Sequence, residues 1–453
     1  MELSQDITPT TISMVHNTLT RMFNQNHFNK DTLAYLDPLK YECTCPTMYF
    51  LPKIHKQPPT GQPFVGRPII SGCSSPTAKI SEYIDHFLLP IVTAQPTYVR
   101  DTTDILRKLE EKKFPPNVLI TSIDVVAMYT NIHQEEAIQC VCNALDQTNH
   151  TYGITKPPLL YIRELLELIL GRNCFQFGNK FFLQKIGCAM GSTASPEICD
   201  ITLHNFEQKI TNQAEQILTW WRYRDDILVI YDGTIEDFQN LIDQMNRMHP
   251  TLKFTYEASN TSINYLDLTI FKGNRFHTTG ILDTKVYRKP LETYQYIHRK
   301  SSHPPHVFNA FIYGECLRYA RNTNNPEDFQ ETVQNFSRKL LNRGYSPKEI
   351  QLATSKVSLE GRTQLVHKPQ RKTRTKKLPV VFSTTYNPAI NHGDLKRAIY
   401  KHIQGNEQLR EIFPNPPLIA YKKAKNIREM IIQVKLPKTT GFLVPDDSGF
   451  IEE

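Results

Sequence analysis

Trp220-Trp221-Arg222-Tyr223-Arg224-Asp225-Asp226-Ile227-Leu228-Val229-Ile230 is the stretch on which the fold turns. An aromatic and β-branched run, two adjacent carboxylates and a second apolar run closed by Asp232-Gly233 predict a β-hairpin with acids at its tip. Successive strand side chains point to opposite faces, so a strained tip is needed to aim two acids at one point. Two carboxylates about 4 Å apart repel by roughly 1 to 4 kcal/mol at effective dielectrics between water and a protein surface; bound Mg²⁺ reverses the sign. Asp-Asp is equally at home in a solvated turn, so partners elsewhere in the chain decide between the two.

The first partner is Asp124, at the end of the apolar run Val118-Leu119-Ile120-Thr121-Ser122-Ile123. A buried strand that runs into an acid is unusual, because an isolated ionised carboxylate is strongly disfavoured in apolar surroundings. Asp124 either caps the following turn or joins Asp225 and Asp226 in a three-carboxylate site for hard cations. Two basic residues stand upstream on strand-like runs: Lys53 in Tyr49-Phe50-Leu51-Pro52-Lys53-Ile54-His55-Lys56 and Arg67 in Gly66-Arg67-Pro68-Ile69-Ile70-Ser71. A point charge and a fork on neighbouring strands can hold a triphosphate, and they can equally form a solvated face.

Between these runs, Ser81 to Leu109 is helical and amphipathic, and Phe175 to Leu183 is a hairpin turned at Gly178-Asn179. The small residues of Gly187-Cys188-Ala189-Met190-Gly191-Ser192-Thr193-Ala194-Ser195-Pro196 lead into a helix and let a flat ligand or a nucleic-acid backbone approach closely. A helix from Ile235 to Met248 and strands around Lys253–Glu257, Ile263–Ile270 and Lys285–Arg288 complete an α+β order.

A chain of 453 residues is long enough for two or three domains. A net charge of +8 favours polyanionic partners. Nine cysteines without zinc spacing point to reduced thiols in an intracellular protein. His298, His303, His306 and Cys316 likewise fit no structural-zinc spacing. No apolar run approaches the ~20 residues of a membrane span, and Met1 to Asp6 does not begin a signal peptide, so no membrane partner is expected. The run Lys368 to Lys377, with Arg371, Lys372 and Arg374, contacts phosphates, serves nuclear import or is a bare linker. Arg222, Arg299 and Lys300, the latter two beside Tyr294, Tyr296 and His298, are further candidates for a nucleic-acid surface.

Taken in order, these motifs resemble the reverse transcriptases of Penelope-like retroelements, relatives of telomerase. The likeness runs from Tyr49 to Ile432 through Lys53, Arg67, Asp124-Val125 with Tyr129-Thr130-Asn131, Ala189-Met190-Gly191-Ser192 and Arg224-Asp225-Asp226. It continues in Ser302-His303-Pro304-Pro305-His306 and Gly314-Glu315-Cys316-Leu317-Arg318, then in Tyr386-Asn387-Pro388 and Asn426-Ile427-Arg428. The resemblance implies an α+β right-hand polymerase of fingers, palm and thumb with a mostly helical C-terminal extension. The expected divisions are an N-terminal segment and fingers at 1–118, a palm at 119–290 with a helical insertion near 135–185, a thumb at 291–345, and a basic linker with the extension at 346–453.

It further implies an RNA-directed DNA polymerase acting on an RNA template, a DNA primer or target and dNTPs, with two Mg²⁺ ions, or Mn²⁺, on Asp124, Asp225 and Asp226 and the Val125 carbonyl. Lys53, Arg67, Tyr129, Gly191 and Lys253 would bind the dNTP, with the Tyr129 ring beneath the sugar and Lys253 near the pyrophosphate. A nuclear location is expected from the basic run at Lys368 to Lys377. Arg224 departs from the family, which has a small or apolar residue before the paired acids. No GIY-YIG nuclease motif follows the resemblance, so cleavage of target DNA is not expected. The competing expectation is an inactive or domesticated nucleic-acid-binding protein descended from such an enzyme.

Overall fold

The computed structural model describes residues 1–52, 66–148, 153–289, 295–367 and 380–422. They fall into two compact units, one from Met1 to Leu282 and one from Asp283 onward.

In the first unit, helix α1 (Thr8–Asn24) leads to strands β1 (Met48–Pro52) and β2 (Gly66–Ile70) and helix α2 (Ala78–Thr93). Strand β3 (Leu119–Val125), the single turn α3 (Met128–Asn131) and helices α4 (Gln134–Asp146) and α5 (Leu159–Gly171) follow. A hairpin of β4 (Cys174–Phe177) and β5 (Lys180–Leu183) precedes helix α6 (Ser195–Thr211). The acid-tipped hairpin is β6 (Ile217–Tyr223) and β7 (Asp226–Tyr231). Helix α7 (Ile235–Met248), strand β8 (Phe254–Ser259) and a hairpin of β9 (Ser262–Tyr265) and β10 (Leu268–Phe271) complete the unit.

The central sheet is antiparallel throughout, in the order β6-β7-β3-β8. Its alternation divides the strands cleanly. Ile123 and Val125 of β3, Ile227 and Val229 of β7 and Phe254 of β8 enter one core with Val141, Leu165, Ile198 and Leu203 of the helices. Each such aliphatic or aromatic side chain contributes about 1.5–3 kcal/mol by leaving water. Residues directly opposite across an antiparallel pair share a face, so Asp124 and Asp226, one step out of phase with that core, lie together on the other side. The outer edge of β6 is covered by residues 97–99, with the Arg222 amide donating to the Thr97 carbonyl at 2.7 Å and the Val99 amide to the Arg222 carbonyl at 2.8 Å.

The helical pattern expected from Ser81 to Leu109 is broken into α2 and a second helix, Thr102–Glu110. Pro96 cannot continue the first, and the Asp101 side chain caps the second by accepting from the Asp104 amide. The α+β class expected from the element order holds.

In the second unit a strand, Asp283–Val286, packs on helix α8 (Pro305–Asn322), which is followed by α9 (Pro326–Asn342) and α10 (Pro347–Thr354). Phe308, Ile312, Cys316 and Tyr319 of α8 bury against Phe336 and Leu340 of α9 and Ile350 and Ala353 of α10. The strand and the third helix, on either side of the span 291–345 expected for a thumb, share this packing. The described part of the C-terminal extension adds one pair of strands to its helices. Strands β11 (Val381–Thr385) and β12 (Leu418–Lys422) pair in parallel, and a parallel pair requires a crossover, here including helix His392–Gln404.

Candidate active site

The tip joining β6 to β7 is a two-residue turn, with Tyr223 opposite Asp226 and Arg224 at φ +58°. A left-handed residue at the first turn position matches the twist of the flanking strands, as in primed hairpin turns. The Val125 amide donates to the Asp225 carbonyl at 3.1 Å. Narrow and wide hydrogen-bonded pairs alternate in an antiparallel ladder, so this bond makes Asp124/Asp226 a non-hydrogen-bonded pair, the class with side chains closest. Their Cβ atoms are then about 4.5–5 Å apart. Both acids are exposed and Asp225 is half-buried. The three acids stand at one end of the sheet, Asp124 and Asp226 on one face and Asp225 in the adjoining turn.

Tyr265, unremarked in the sequence, steadies this end. Its buried hydroxyl lies 3.2 Å from the Asp226 carbonyl and 3.3 Å from the Trp221 carbonyl, donating to both.

Tyr129 sits on α3, immediately after Ala127 at φ +49°. It is half-buried and packs against the main core. Burial pushes its phenol well above the usual range, and the negative charges of Asp200 and Asp225 add to that against the pull of Arg224. The ring therefore stands within electrostatic reach of the acidic tip. Its own carbonyl accepts from the Cys188 amide at 2.6 Å, which ties α3 to the small-residue loop.

That loop is held at both ends by glycines. Gly187, at φ +77°, lies under α3, where a Cβ would strike the Tyr129 carbonyl oxygen. Gly191, at φ +141°, lies against β2, where a Cβ would strike the Ile70 carbonyl oxygen. The Ile70 amide donates to the Met190 carbonyl at 3.1 Å, and the Gly72 amide to that of Gly191 at 3.3 Å. Strand β2 carries Arg67, exposed and opposite Leu51 of β1, so the loop links the Arg67 strand to the Tyr129 turn. Gly191→Ala combines an unfavourable backbone conformation with a backbone clash and is expected to cost at least about 2 kcal/mol. Urea denaturation checks this; an unchanged midpoint would show that the loop tolerates a side chain there.

Behind the tip lies an ionic cluster that no spacing pattern announced. Arg222, expected on a nucleic-acid surface, is instead 2% exposed. Its guanidinium donates to Asp200 at 2.5 Å and to Gln95 at 2.9 Å and lies 2.8 Å from Glu207. Strand alternation turns Trp220 and Arg222 toward α6, where a long basic side chain persists only if carboxylates meet it. Burial raises the Asp200 carboxyl against the pull of the two arginines. At Glu207 the same burial is outweighed by Arg222, His204 and Trp220, and the carboxyl ends below its ordinary value. Arg224 extends the cluster, donating to Asp200 and, at 3.0 Å, to Glu197. Arg224 thus fastens the acidic turn to α6. Glu197 in turn hydrogen-bonds Asp85 of α2, whose carboxyl is pushed up to about 7 by burial and that contact. Arg222→Ala leaves two buried carboxylates short of a partner and is expected to cost about 3–5 kcal/mol. Equilibrium unfolding reads the loss, and a surface arginine would give almost none.

The remaining candidates scatter. Lys253 is exposed, and its ammonium donates to the Asn246 and His249 carbonyls at 2.6 and 3.0 Å, capping the end of α7. In the second unit Arg299 pairs with Glu349 at 2.8 Å and lies over the Phe308 ring, while Lys300 is exposed. Cys316 is fully buried in that unit's core. Lys53, Arg371, Lys372 and Arg374 lie outside the described residues, as do Tyr294 and Asn426 to Arg428.

Residues 65–264 match the family model described as reverse transcriptase (RNA-dependent DNA polymerase), and residues 295–354 match an animal helix-turn-helix domain. No curated protein matches the chain. Among solved structures, telomerase from Candida albicans in complex with a TWJ fragment of telomeric RNA is 11% identical, with 91% of this chain and 72% of that chain covered and a TM-score of 0.46. Apo telomerase from Candida tropicalis, truncated from its C-terminal domain, is 12% identical, with 53% and 54% covered and a TM-score of 0.41. The BmCPV RNA-dependent RNA polymerase at elongation state is 12% identical, with 75% and 30% covered and a TM-score of 0.40. The chain thus spans about half the length of the Candida tropicalis protein. No helix among the described residues is long and apolar enough to cross a membrane.

Proposed function

We propose that this chain is an RNA-directed DNA polymerase of the Penelope-like type, which adds dNTPs to a primer 3′ end along an RNA template. The observation that carries the reading is the register of the central sheet. Asp124 and Asp226 are cross-strand partners with Asp225 at the adjoining turn, inside the region matching the reverse transcriptase family. The donor set fits a hard divalent cation: carboxylate oxygens only, two of them exposed on one face, with no thiol or imidazole among them. Asp124, Asp225 and Asp226 would hold Mg²⁺, with the Val125 carbonyl as a further oxygen. When bound, the metal makes the primer hydroxyl a better nucleophile and offsets charge on the phosphates.

The chain's own residues supply the rest. Arg67 and Lys53 neutralise the triphosphate, Gly191 keeps the loop beside the nucleotide free of a side chain, and the Tyr129 ring limits the space beneath the sugar. The helix-turn-helix match over α8 to α10 supports a second unit that holds nucleic acid, and exposed Lys300 suits its phosphates. The sequence of the basic run at 368–377 suits phosphate contact and nuclear import.

Primer extension on matched RNA and DNA templates, with dNTPs and Mg²⁺, tests the reading. RNA-templated extension is the expected result. Duplex binding without incorporation under Mg²⁺ or Mn²⁺ would instead identify a nucleic-acid-binding descendant of such enzymes.

A further inference from the structure

Asp6, Cys45 and Cys174 are far apart in sequence and meet in the first unit, with one ligand atom from each lying within 4.8 Å of the others. Asp6 stands just before α1, where its Oδ1 accepts from the Thr8 amide at 2.8 Å. Cys45 precedes β1, and Cys174 opens β4 and is 5% exposed. The two sulfurs are 3.7 Å apart. A disulfide needs about 2.05 Å. Two thiolates on one tetrahedral zinc, each about 2.3 Å from it, stand about 3.8 Å apart.

We propose that Asp6, Cys45 and Cys174 bind a borderline-soft divalent cation, zinc foremost, through two thiolates and one carboxylate, with water in the fourth position. Groups of the kind that orient metal-bound thiolates are in place. The Thr8 hydroxyl hydrogen-bonds Cys45, and the Ile7 amide hydrogen-bonds Cys174. A polar cavity of about 10 Å³, lined by Cys174 with Thr8, Ser75, Thr77 and Asn173, adjoins the cluster and is about the size of one water.

The site fastens the start of α1 and the root of β1 to β4. The backbone already joins there, with Thr47 bridged to Gln176 and the Gln176 amide donating to the Pro46 carbonyl at 2.8 Å. Because β1 pairs with the strand carrying Arg67, the cation anchors the base of that hairpin. The proposal does not depend on the polymerase reading.

The test is metal analysis of the full chain, expressed with zinc and dialysed. About one zinc per chain is expected, falling about tenfold or more in Cys45→Ser and in Cys174→Ser and less in Asp6→Asn. Cobalt substitution of the unmutated chain guards against misfolded variants; a thiolate charge-transfer band is expected, with the intensity of two Co–S bonds. Zinc should also protect Cys45 and Cys174 from alkylation until a chelator is added. A zinc-free wild-type chain without a cobalt–thiolate band, undiminished zinc in the double cysteine variant, or a Cys45–Cys174 disulfide would each overturn the proposal.

Discussion

Replacing Asp226 with asparagine is expected to lower single-nucleotide incorporation by about 10³-fold or more while leaving the melting temperature unchanged or higher. The first part follows from the proposed role of the carboxylate as a metal ligand. Removing one anionic ligand from a metal that stabilises transition-state charge forfeits several kcal/mol, and each 1.36 kcal/mol is tenfold in rate. The second part follows from the register. Asp226 is exposed and directly opposite Asp124 in a close non-hydrogen-bonded pair, where like charges destabilise by about 1 kcal/mol even with water-like screening. Asparagine keeps the shape and removes that repulsion. Asp124→Asn should behave the same way, because the pair is symmetric across the ladder. Extension that survives in Asp225→Ala/Asp226→Ala would show that the chemistry resides elsewhere. An inactive variant with a lowered melting temperature would show that the acids serve the fold.

Tyr129→Val is expected to reduce discrimination between dNTP and rNTP by about 10- to 100-fold in kcat/KM, the range of a steric overlap costing 1–3 kcal/mol. The side chain is well placed for this role. It stands on a single helical turn directly after the Asp124 strand, its carbonyl is fixed by the Cys188 amide, and its phenol feels the charge of Asp225. Tyr129→Phe separates ring from hydroxyl: in the proposed role the ring is the obstacle to a 2′-hydroxyl, so phenylalanine should keep the discrimination. Part of the ring also packs on the core, so the valine variant should lose some stability without losing dNTP incorporation. Equal sugar preference in the wild-type and valine enzymes would make Tyr129 an ordinary core residue.

The acid-tipped hairpin was legible because alternation, turn residues and adjacent carboxylates all pointed the same way, and the structure has it at 217–231. Arg222 was misread from the same eleven residues. Composition alone makes a basic residue beside aromatics look like a nucleic-acid contact, whereas its position relative to Asp200 and Glu207 depends on how α6 packs. The small-residue loop was recognised as a close approach, but its partners, the Ile70 and Tyr129 carbonyls, lie more than fifty residues away in the chain. Ile350 and Ala353 follow a proline at the start of the expected linker, and in the structure they complete the packing of α8 and α9.

By itself the sequence determined the local chemistry: which runs alternate as strands, where prolines end helices, and which acids, basic residues and small residues stand in which order. These follow from side-chain periodicity and backbone sterics, which act over a few residues. Only the tertiary structure decided which of them meet. Asp124 is the cross-strand partner of Asp226, Arg222 is buried against α6, and Asp6, Cys45 and Cys174 converge. Such meetings depend on strand register and on helices closing over a shared core, and free energy gained between residues a hundred positions apart leaves no spacing rule in the chain.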